Sequence, residues 1–233
     1  MTKIVFSFCI YGTQKKYCQG LVENLKMMEE HFPSALAYVY CYHDVPDEYI
    51  TTYRSFRSVQ LRIPERFDKP NMVERFFVLD EDPSVDVVIV RDCDSRLHTR
   101  DRVCILHFLE SASLCHTTRD HHLHHSPILG GLWGMKRGCM SMDMRELYRQ
   151  YIARGRQVGD MATYGHDMYF LRECVYPLVV DDMLVYTFHQ YLRMDPREKL
   201  VMMPSDVQDN DFCGQVVDYD EDGQEVKQFT FPV

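Results

Sequence analysis

Val87-Val88-Ile89-Val90-Arg91-Asp92-Cys93-Asp94 is an unbroken apolar run that ends in two carboxylates separated by one residue. Its β-branched residues favour a strand, and a run without polar alternation is typical of a strand covered on both faces. Residues two apart on an extended chain point to the same side, so Asp92 and Asp94 can face one ligand. Because Mg²⁺ and Mn²⁺ prefer oxygen ligands, the stretch predicts a metal site at the end of this strand. The alternative is that both residues cap a turn and pair with Arg91 and Arg96.

Strands and helices alternate through the first hundred residues. A near-continuous apolar run from Lys3 to Ile10 predicts a first strand, and Leu21, Leu25 and Met28 then recur at helical spacing. The pattern further predicts helices over 17–31, from Pro46 and Asp47, and over 72–79, with strands over 35–42, 59–63 and 85–90. Such alternation favours an α/β fold with a mainly parallel sheet and helices on both faces. Ligands of such sheets gather at the carboxyl ends of the strands.

The second half of the chain is less regular. Helices are predicted over 101–111, 142–154 and 166–174, and a segment rich in His and Gly, 116–138, is interpreted as substrate loops. The acidic tail, 206–233, predicts a hairpin with its turn at 220–223, between strands over 214–217 and 225–229. Nothing in the 233 residues resembles a linker between independent folds, so we expect one domain.

Composition excludes several classes of protein. A net charge of -9 argues against a general nucleic-acid binder, which needs concentrated Lys and Arg. An acidic enzyme can still bind an anionic nucleotide if a metal ion screens the diphosphate. No stretch approaches the roughly 20 apolar residues of a membrane helix, and the N-terminus lacks the features of a signal peptide. Nine cysteines without a CxxC pair suit a reducing compartment, so a cytoplasmic location is expected.

Three motifs in order carry a resemblance to a known family. They are Arg91-Asp92-Cys93-Asp94-Ser95-Arg96-Leu97, Arg119-Asp120-His121, and Pro127-Ile128-Leu129-Gly130-Gly131-Leu132-Trp133-Gly134. Together they resemble a glycosyltransferase family of GT-A fold found in large algal viruses of the chlorovirus type and in bacterial capsule clusters. The resemblance extends from Ser7 and Tyr11 through 164–171 to 212–216, which is nearly the whole chain.

The resemblance implies a fold and an activity. The fold would be GT-A, with a mixed, mainly parallel sheet, a nucleotide-binding half over 1–97 and an acceptor-binding half over 98–233. The activity would be transfer of a hexose or deoxyhexose from a nucleotide-diphosphate sugar, with a UDP-sugar as first candidate, to a hydroxyl of a glycan acceptor. Mn²⁺ or Mg²⁺ would be the cofactor, and a viral protein would act in the host cytoplasm.

The resemblance also assigns roles on the donor side. Asp92 and Asp94 match the family's DxD motif and would hold the metal, with Asp94 also counted as catalytic. The expected nucleotide and donor contacts are Ser7, Ile10, Tyr11, Arg75, Arg91, Asp92 and Cys93. The alternative for Arg75 is a solvated helix face. His189 is a candidate third metal ligand, although the sequence around it departs from the family's His-Asp-Ser pattern.

On the acceptor side Asp167 would act beside the reacting sugar, either accepting the acceptor's hydroxyl proton or orienting donor hydroxyls. Its alternative is a helix cap. The expected sugar and acceptor contacts are His121, His124, Gly130, Gly131, Trp133 and His166. Trp133 can instead fill the core, the glycines can form a simple turn, and the His-rich segment can be a surface loop or, least favoured, a zinc site.

Two rival functions remain open from the sequence. A sugar nucleotidyltransferase also uses carboxylates with a metal, but it normally shows a Gly-rich phosphate loop with a Lys, which residues 12–16 match poorly. A non-catalytic carbohydrate- or nucleotide-binding protein could share the fold without the activity.

Overall fold

The structure, a computed structural model, describes residues 2–64, 71–154, 165–203 and 211–228. Its strands are β1 (Ile4–Ile10), β2 (Leu36–Cys41), β3 (Val59–Arg62), β4 (Val87–Arg91), β5 (Cys115–Arg119), β6 (Leu132–Lys136), β7 (Met183–Thr187), β8 (Lys199–Met202), β9 (Val217–Tyr219) and β10 (Glu225–Lys227). Its α-helices are α1 (Lys15–His31), α2 (Asp47–Ser55), α3 (Val78–Glu81), α4 (Thr99–Glu110), α5 (Met144–Ala153), α6 (His166–Phe170) and α7 (Tyr176–Val179).

Eight of these strands form one sheet in the order β3-β2-β1-β4-β6-β5-β7-β8. All neighbours are parallel except β6, which runs antiparallel to both β4 and β5. The prediction of a mixed, mainly parallel α/β sheet is therefore confirmed. No helix in the described part of the chain is both long and apolar enough to cross a membrane.

The sheet separates two apolar cores. Side chains from alternate positions of β1 enter opposite cores, with Val5 and Cys9 on one side and Phe6 and Phe8 on the other. Both cores contain helices, since α5 supplies Tyr148 to the first and α1 packs in the second. The strand β4 is buried along its whole length, as the apolar run predicted.

The interpretation of 116–138 as loops was wrong at its two ends, where the structure has β5 and β6. Local patterning hid β5 because its buried residues are mostly polar or charged, from His116 to Arg119. It hid β6 because Gly134 interrupts the run, although a Cβ there would meet the carbonyl oxygen of Val88 at 2.8 Å. Close strand contact, which a sequence pattern does not display, explains that glycine.

Two predicted helices are broken. The helix expected over 72–79 is a 3₁₀ turn, Met72–Phe76, followed by the short α3, and the Asn71 side chain caps the 3₁₀ turn by accepting a hydrogen bond from the amide of Val73. The helix expected over 166–174 is α6 followed by a π turn, Leu171–Val175, where the amide of Tyr176 donates to the carbonyl of Leu171. Pro177 follows and lacks an amide donor, which is one reason for the wider turn.

The C-terminal hairpin forms as the turn residues predicted, with β9 beginning three residues later than expected. Gly223 has a φ of 79°, and its amide donates to the carbonyl of Asp220 across the turn. Before the hairpin, Ser95 and Val216 form an antiparallel bridge, and the amide of Val217 donates to the carbonyl of Asp94 at 2.8 Å. The tail therefore returns to the segment that follows β4. The predicted strand end at Phe229 lies outside the described residues.

Candidate active site

The order of the strands brings distant parts of the sequence to one edge of the sheet. β1 and β4 are parallel and both end there, and the thiol of Cys93 donates to the carbonyl of Cys9 at 3.3 Å. Because β6 is antiparallel to β4, with Leu132 opposite Arg91, it begins where β4 ends. Gly130 and Gly131, just before β6, therefore meet Asp92 and its neighbours.

A cleft of about 180 Å³ opens at this edge. Ten of the predicted site residues line it, and these are Ile10, Tyr11, Arg75, Asp92, Cys93, Asp94, His124, Gly130, His166 and Asp167. The residues of the lining that sequence reasoning missed include Tyr17, Met72, Leu129, Met168, Gly214 and Val216. Leu129, Met168, Gly214 and Val216 lie in segments that carry the resemblance but were given no role, whereas Tyr17 and Met72 lie outside those segments and had no signal of a site.

The two carboxylates of the DxD motif differ in their surroundings. The Asp92 side chain is 37% exposed and accepts a hydrogen bond from Arg75. Burial, and next the negative charge of Asp92, raise the pKa of Asp94 above its ordinary value, while the nearby ammonium of Lys16 acts in the opposite sense. The site therefore concentrates negative charge in a partly desolvated place, which is where a cation binds favourably.

Arg75 joins the two sides of the cleft. Its guanidinium donates to Asp92 Oδ1, to the carbonyl of Arg91 at 3.0 Å, and to Asp167 Oδ2 at 2.7 Å. Burial lowers the pKa of Arg75, but the two carboxylates outweigh that effect and raise it. The side chain is 1% exposed, so the alternative of a solvated helix face was wrong.

The glycine pair allows these carboxylates to lie against the backbone. A Cβ on Gly131 would meet Asp92 Cγ at 2.3 Å, and one on Gly130 would meet Asp167 Oδ2 at 2.4 Å. The glycines were expected to admit a ligand. In the described residues, the space that a Cβ would take is instead occupied by the aspartate carboxyl groups, that of Asp92 at Gly131 and that of Asp167 at Gly130.

The segment after β4 is fixed from the helix side. Asn24 on α1 is buried, and its amide bonds to backbone groups between Asp92 and Leu97. Arg91 is buried as well and donates to Asp101 Oδ1 at 2.7 Å and to the carbonyl of Arg96 at 3.0 Å. Sequence reasoning missed Asn24, although it is a polar residue within the apolar face of Leu21, Leu25 and Met28.

The far wall of the cleft is formed by α6. Asp167 lies in the first turn of α6, accepts a hydrogen bond from the amide of Met168 with Oδ1 and faces Arg75 with Oδ2. Gly165 is the N-cap, so the alternative that Asp167 is only a helix cap was wrong. His166 is held at its Nε2 by the hydroxyl of Tyr148, at 2.9 Å. That hydroxyl also accepts from Asn71 at 3.2 Å, which ties α6 to the turn carrying Arg75.

The His-rich segment is partly interior. His121 stacks on Phe212 with ring centroids 3.9 Å apart, and His124 reaches the cleft. Both are nearly fully buried, so the alternative of a plain surface loop was wrong for these two residues. Burial, then the neighbouring His121, lowers the pKa of His124 to about 3, which keeps its imidazole neutral at neutral pH.

Six predicted site residues do not line the cleft: Ser7, Arg91, His121, Gly131, Trp133 and His189. Ser7 is buried within β1, and Trp133 packs edge-on against Phe76 with centroids 5.2 Å apart, as its core-filling alternative described. His189 follows β7, which β6 and β5 separate from β4 by about 14 Å at the usual strand spacing. It stacks on Tyr191 with centroids 4.8 Å apart, and the structure does not bring it to Asp92 and Asp94.

The residues present fit a hard divalent cation with few protein ligands. Within the part of the chain that the structure describes, no three or more His, Cys, Asp or Glu side chains form a metal cluster. Mg²⁺, however, is commonly bound through one or two carboxylates together with substrate phosphates. Asp92 and Asp94, both on the cleft, provide such a pair.

The chain is similar to known proteins in structure and not in sequence. No family model matches the chain, and no curated protein matches it in sequence. Among solved structures, the galactosyltransferase LgtC in complex with donor and acceptor sugar analogs is similar over 85% of this chain and 84% of its own, with a TM-score of 0.51 and 11% identity.

Two further structures are similar at lower TM-scores. A glycosyltransferase involved in the glycosylation of the major capsid of PBCV-1 is 13% identical over 80% of this chain and 82% of its own, with a TM-score of 0.49. The mannosyltransferase PcManGT from Pyrobaculum calidifontis, in complex with GDP-Man and Mn²⁺, is 11% identical over 77% and 52% of the two chains, with a TM-score of 0.48. The mixed eight-stranded sheet and the likeness to LgtC show that the chain has the GT-A fold.

Proposed function

We propose that the chain is a metal-dependent glycosyltransferase that moves a hexose or deoxyhexose from a nucleotide-diphosphate sugar to a hydroxyl of a glycan acceptor. The observation that carries the proposal is the position of Asp92 and Asp94, which share a cleft with Arg75 and Asp167 at the carboxyl edge of a GT-A sheet. A UDP-sugar is the first donor to test.

The reaction breaks the bond between an anomeric carbon and a diphosphate, which leaves negative charge on the departing nucleotide. Mn²⁺ or Mg²⁺ held by Asp92 and Asp94 would stabilise that charge as a Lewis acid. Lys16, whose positive charge acts on Asp94, would add a further cation near this pair of carboxylates. No protein group needs to protonate the leaving group.

Asp167 and Arg75 would serve the sugar side of the cleft. Arg75 compensates the negative charge of Asp167 and fixes its Oδ2 through the 2.7 Å hydrogen bond. A carboxylate held in this way can accept the proton of an acceptor hydroxyl, or it can orient the hydroxyls of the donor sugar. The described cleft is smaller than the ~300–1,000 Å³ of typical ligand sites, so we expect part of the donor to extend beyond it.

The test is nucleotide release from a panel of nucleotide sugars with Mn²⁺ and with EDTA. Asp94→Asn and Asp92→Asn should lower turnover by about 100- to 1,000-fold, because each removes a carboxylate that would hold the cation opposite the developing anion. Asp86→Asn is the matched control, since Asp86 is exposed beside the other end of β4 and carries the same charge.

Three outcomes would count against the proposal in different ways. Equal release with Mn²⁺ and EDTA would remove the metal from the mechanism. Formation of a nucleoside triphosphate and a sugar 1-phosphate from a nucleotide sugar and added pyrophosphate would identify a nucleotidyltransferase. Metal-dependent nucleotide binding by calorimetry without turnover of any donor and acceptor pair would identify a non-catalytic binding protein.

A further inference from the structure

One side chain, that of Asn24, forms hydrogen bonds to the backbone of the segment that carries the DxD motif. Asn24 Nδ2 donates to the carbonyl of Ser95 at 2.7 Å and to that of Cys93 at 3.2 Å, with the carbonyl of Asp92 at 3.4 Å. Asn24 Oδ1 accepts from the amide of Leu97 at 2.8 Å. Since carbonyls only accept and an amide N–H only donates, these partners also fix the orientation of the Asn24 amide.

The helix that carries Asn24 lies directly on this segment. Gly20 is one turn earlier on α1, and a Cβ on it would meet the carbonyl oxygen of Cys93 at 2.3 Å. The neighbours of Asn24 on the buried face of α1 are apolar, so its amide is 1% exposed among hydrophobic side chains. A buried amide is costly unless it is hydrogen-bonded, and the backbone from Asp92 to Leu97 supplies those bonds.

The C-terminal tail holds the same segment by further backbone contacts. The amide of Val217 donates to the carbonyl of Asp94 at 2.8 Å, and Ser95 bridges to Val216. The backbone around Asp94 is therefore held by two elements, α1 and the C-terminal tail, while the carboxylates of Asp92 and Asp94 line the cleft.

We propose that Asn24 is the positioning residue of the metal site, acting through the backbone of residues 92–97 and touching neither metal nor donor. The inference rests on the proposed function, because it assigns Asn24 to the geometry of that same pair of carboxylates. Outer residues that orient metal ligands commonly contribute about 10- to 100-fold to metal affinity. Loss of the Asn24 amide lets the two carboxylates lose their common orientation, and Mn²⁺ affinity falls with it.

The test compares Asn24→Asp and Asn24→Ala with Met28→Ala in the full chain. Asn24→Asp keeps the volume and the acceptor for Leu97, but it presents a carboxylate oxygen to the carbonyls of Ser95 and Cys93. Met28 is fully buried one turn further along α1, so Met28→Ala controls for a general loss of packing in that helix. Far-UV circular dichroism establishes that each variant is folded.

Two readouts distinguish positioning from stability. Mn²⁺ binding in the presence of UDP, followed by electron paramagnetic resonance, should weaken about 10- to 100-fold in both Asn24 variants and stay unchanged in Met28→Ala. Hydrogen exchange of peptides covering 92–97 should become faster in the Asn24 variants alone. In Asn24 variants that still bind the donor, kcat should require a higher Mn²⁺ concentration, while the donor KM should change less.

The test separates failure of the positioning role from failure of the proposed function. Wild-type protein that binds Mn²⁺ with UDP, together with Asn24 variants of unchanged affinity and unchanged exchange at 92–97, would overturn the positioning role and leave the proposed function intact. Wild-type protein that binds no Mn²⁺ with any nucleotide sugar would overturn the proposed function, even if exchange at 92–97 responded to Asn24.

Discussion

Glu74 precedes Arg75 in the 3₁₀ turn and is buried, and its Oε1 has no hydrogen-bond partner among the described residues. Burial, and then the charge of Glu81, raise the pKa of Glu74 to about 8. The folded state therefore holds a proton on this carboxyl at pH values where the unfolded chain, with its ordinary pKa of 4.5, has lost it.

The consequence is a pH dependence of stability. Between about pH 4.5 and 8 the folded state binds more protons at Glu74 than the unfolded state does, so the free energy of unfolding falls as pH rises through this window. Glu74→Gln has no proton to lose, and its urea midpoint should decline less with pH than that of the wild type. Parallel declines in the two proteins would show that Glu74 ionises normally in the folded state.

Individual site residues were predictable to different degrees. Asp92 and Asp94 follow an apolar strand, and that local signal was enough to place them on a cleft. Arg75 bonds to Asp92, which is 17 residues away in sequence, and Asn24 bonds to Ser95, which is 71 residues away. A pattern of neighbouring residues contains no information on such partners. The role of Arg75 was therefore left open between two alternatives, and Asn24 was missed.

At the scale of elements, the end of β5 is tied to the outer strands by a buried ion pair. Arg119 donates to Glu198 Oε1 at 2.5 Å and to the carbonyl of Leu192 at 2.6 Å, and both charged side chains are fully buried. The hydroxyl of Tyr176 donates to the same carboxylate oxygen at 2.7 Å. These contacts join β5 and α7 to the residue before β8.

Removing one partner should cost more than removing both. Arg119→Met leaves the Glu198 carboxylate buried without its cation, so we expect a loss of about 3–5 kcal/mol in the free energy of unfolding, measured with urea. The double variant Arg119→Met, Glu198→Met should recover most of that loss. A double variant as unstable as the single one would mean that the pair itself, and not the unpaired charge, determines the cost.

Elements with strong apolar patterns were predicted well and those with special contacts were not. The strands β1, β2 and β4 and the helix α1 begin and end within a few residues of their predicted bounds. The strands β5 and β6 were taken for loops because tertiary burial of polar residues in β5 and close packing at Gly134 in β6 obscure the signal. The direction of β6 follows from its strand neighbours, which lie far away in sequence.

At the scale of the whole molecule, one sheet crosses the boundary between the predicted halves, 1–97 and 98–233. β4 belongs to the first half and pairs along its full length with β6 of the second, from Val87 opposite Lys136 to Arg91 opposite Leu132. The halves share this ladder and both cores, so we propose that they form one cooperative unit.

Trp133 offers a direct test of cooperativity because it is the single tryptophan and lies in β6 at this junction. Urea unfolding followed by its fluorescence and by far-UV circular dichroism should give the same midpoint, as expected for a two-state transition. Trp133→Phe serves as the control for background fluorescence. Distinct midpoints would mean that the halves unfold separately.

The reversed direction of β6 also determines where new sequence can be added beside the cleft. β5 and β6 are antiparallel neighbours, so their connection, 120–131, leaves and re-enters the sheet at the cleft edge without crossing a face. Doubling such a connection costs only about 0.6 kcal/mol in closure entropy. Under the proposed function, we expect residues inserted beside the exposed His125 to alter which sugar the cleft accepts, while the buried His121, His124 and Ile128 and the two carboxylates keep their places.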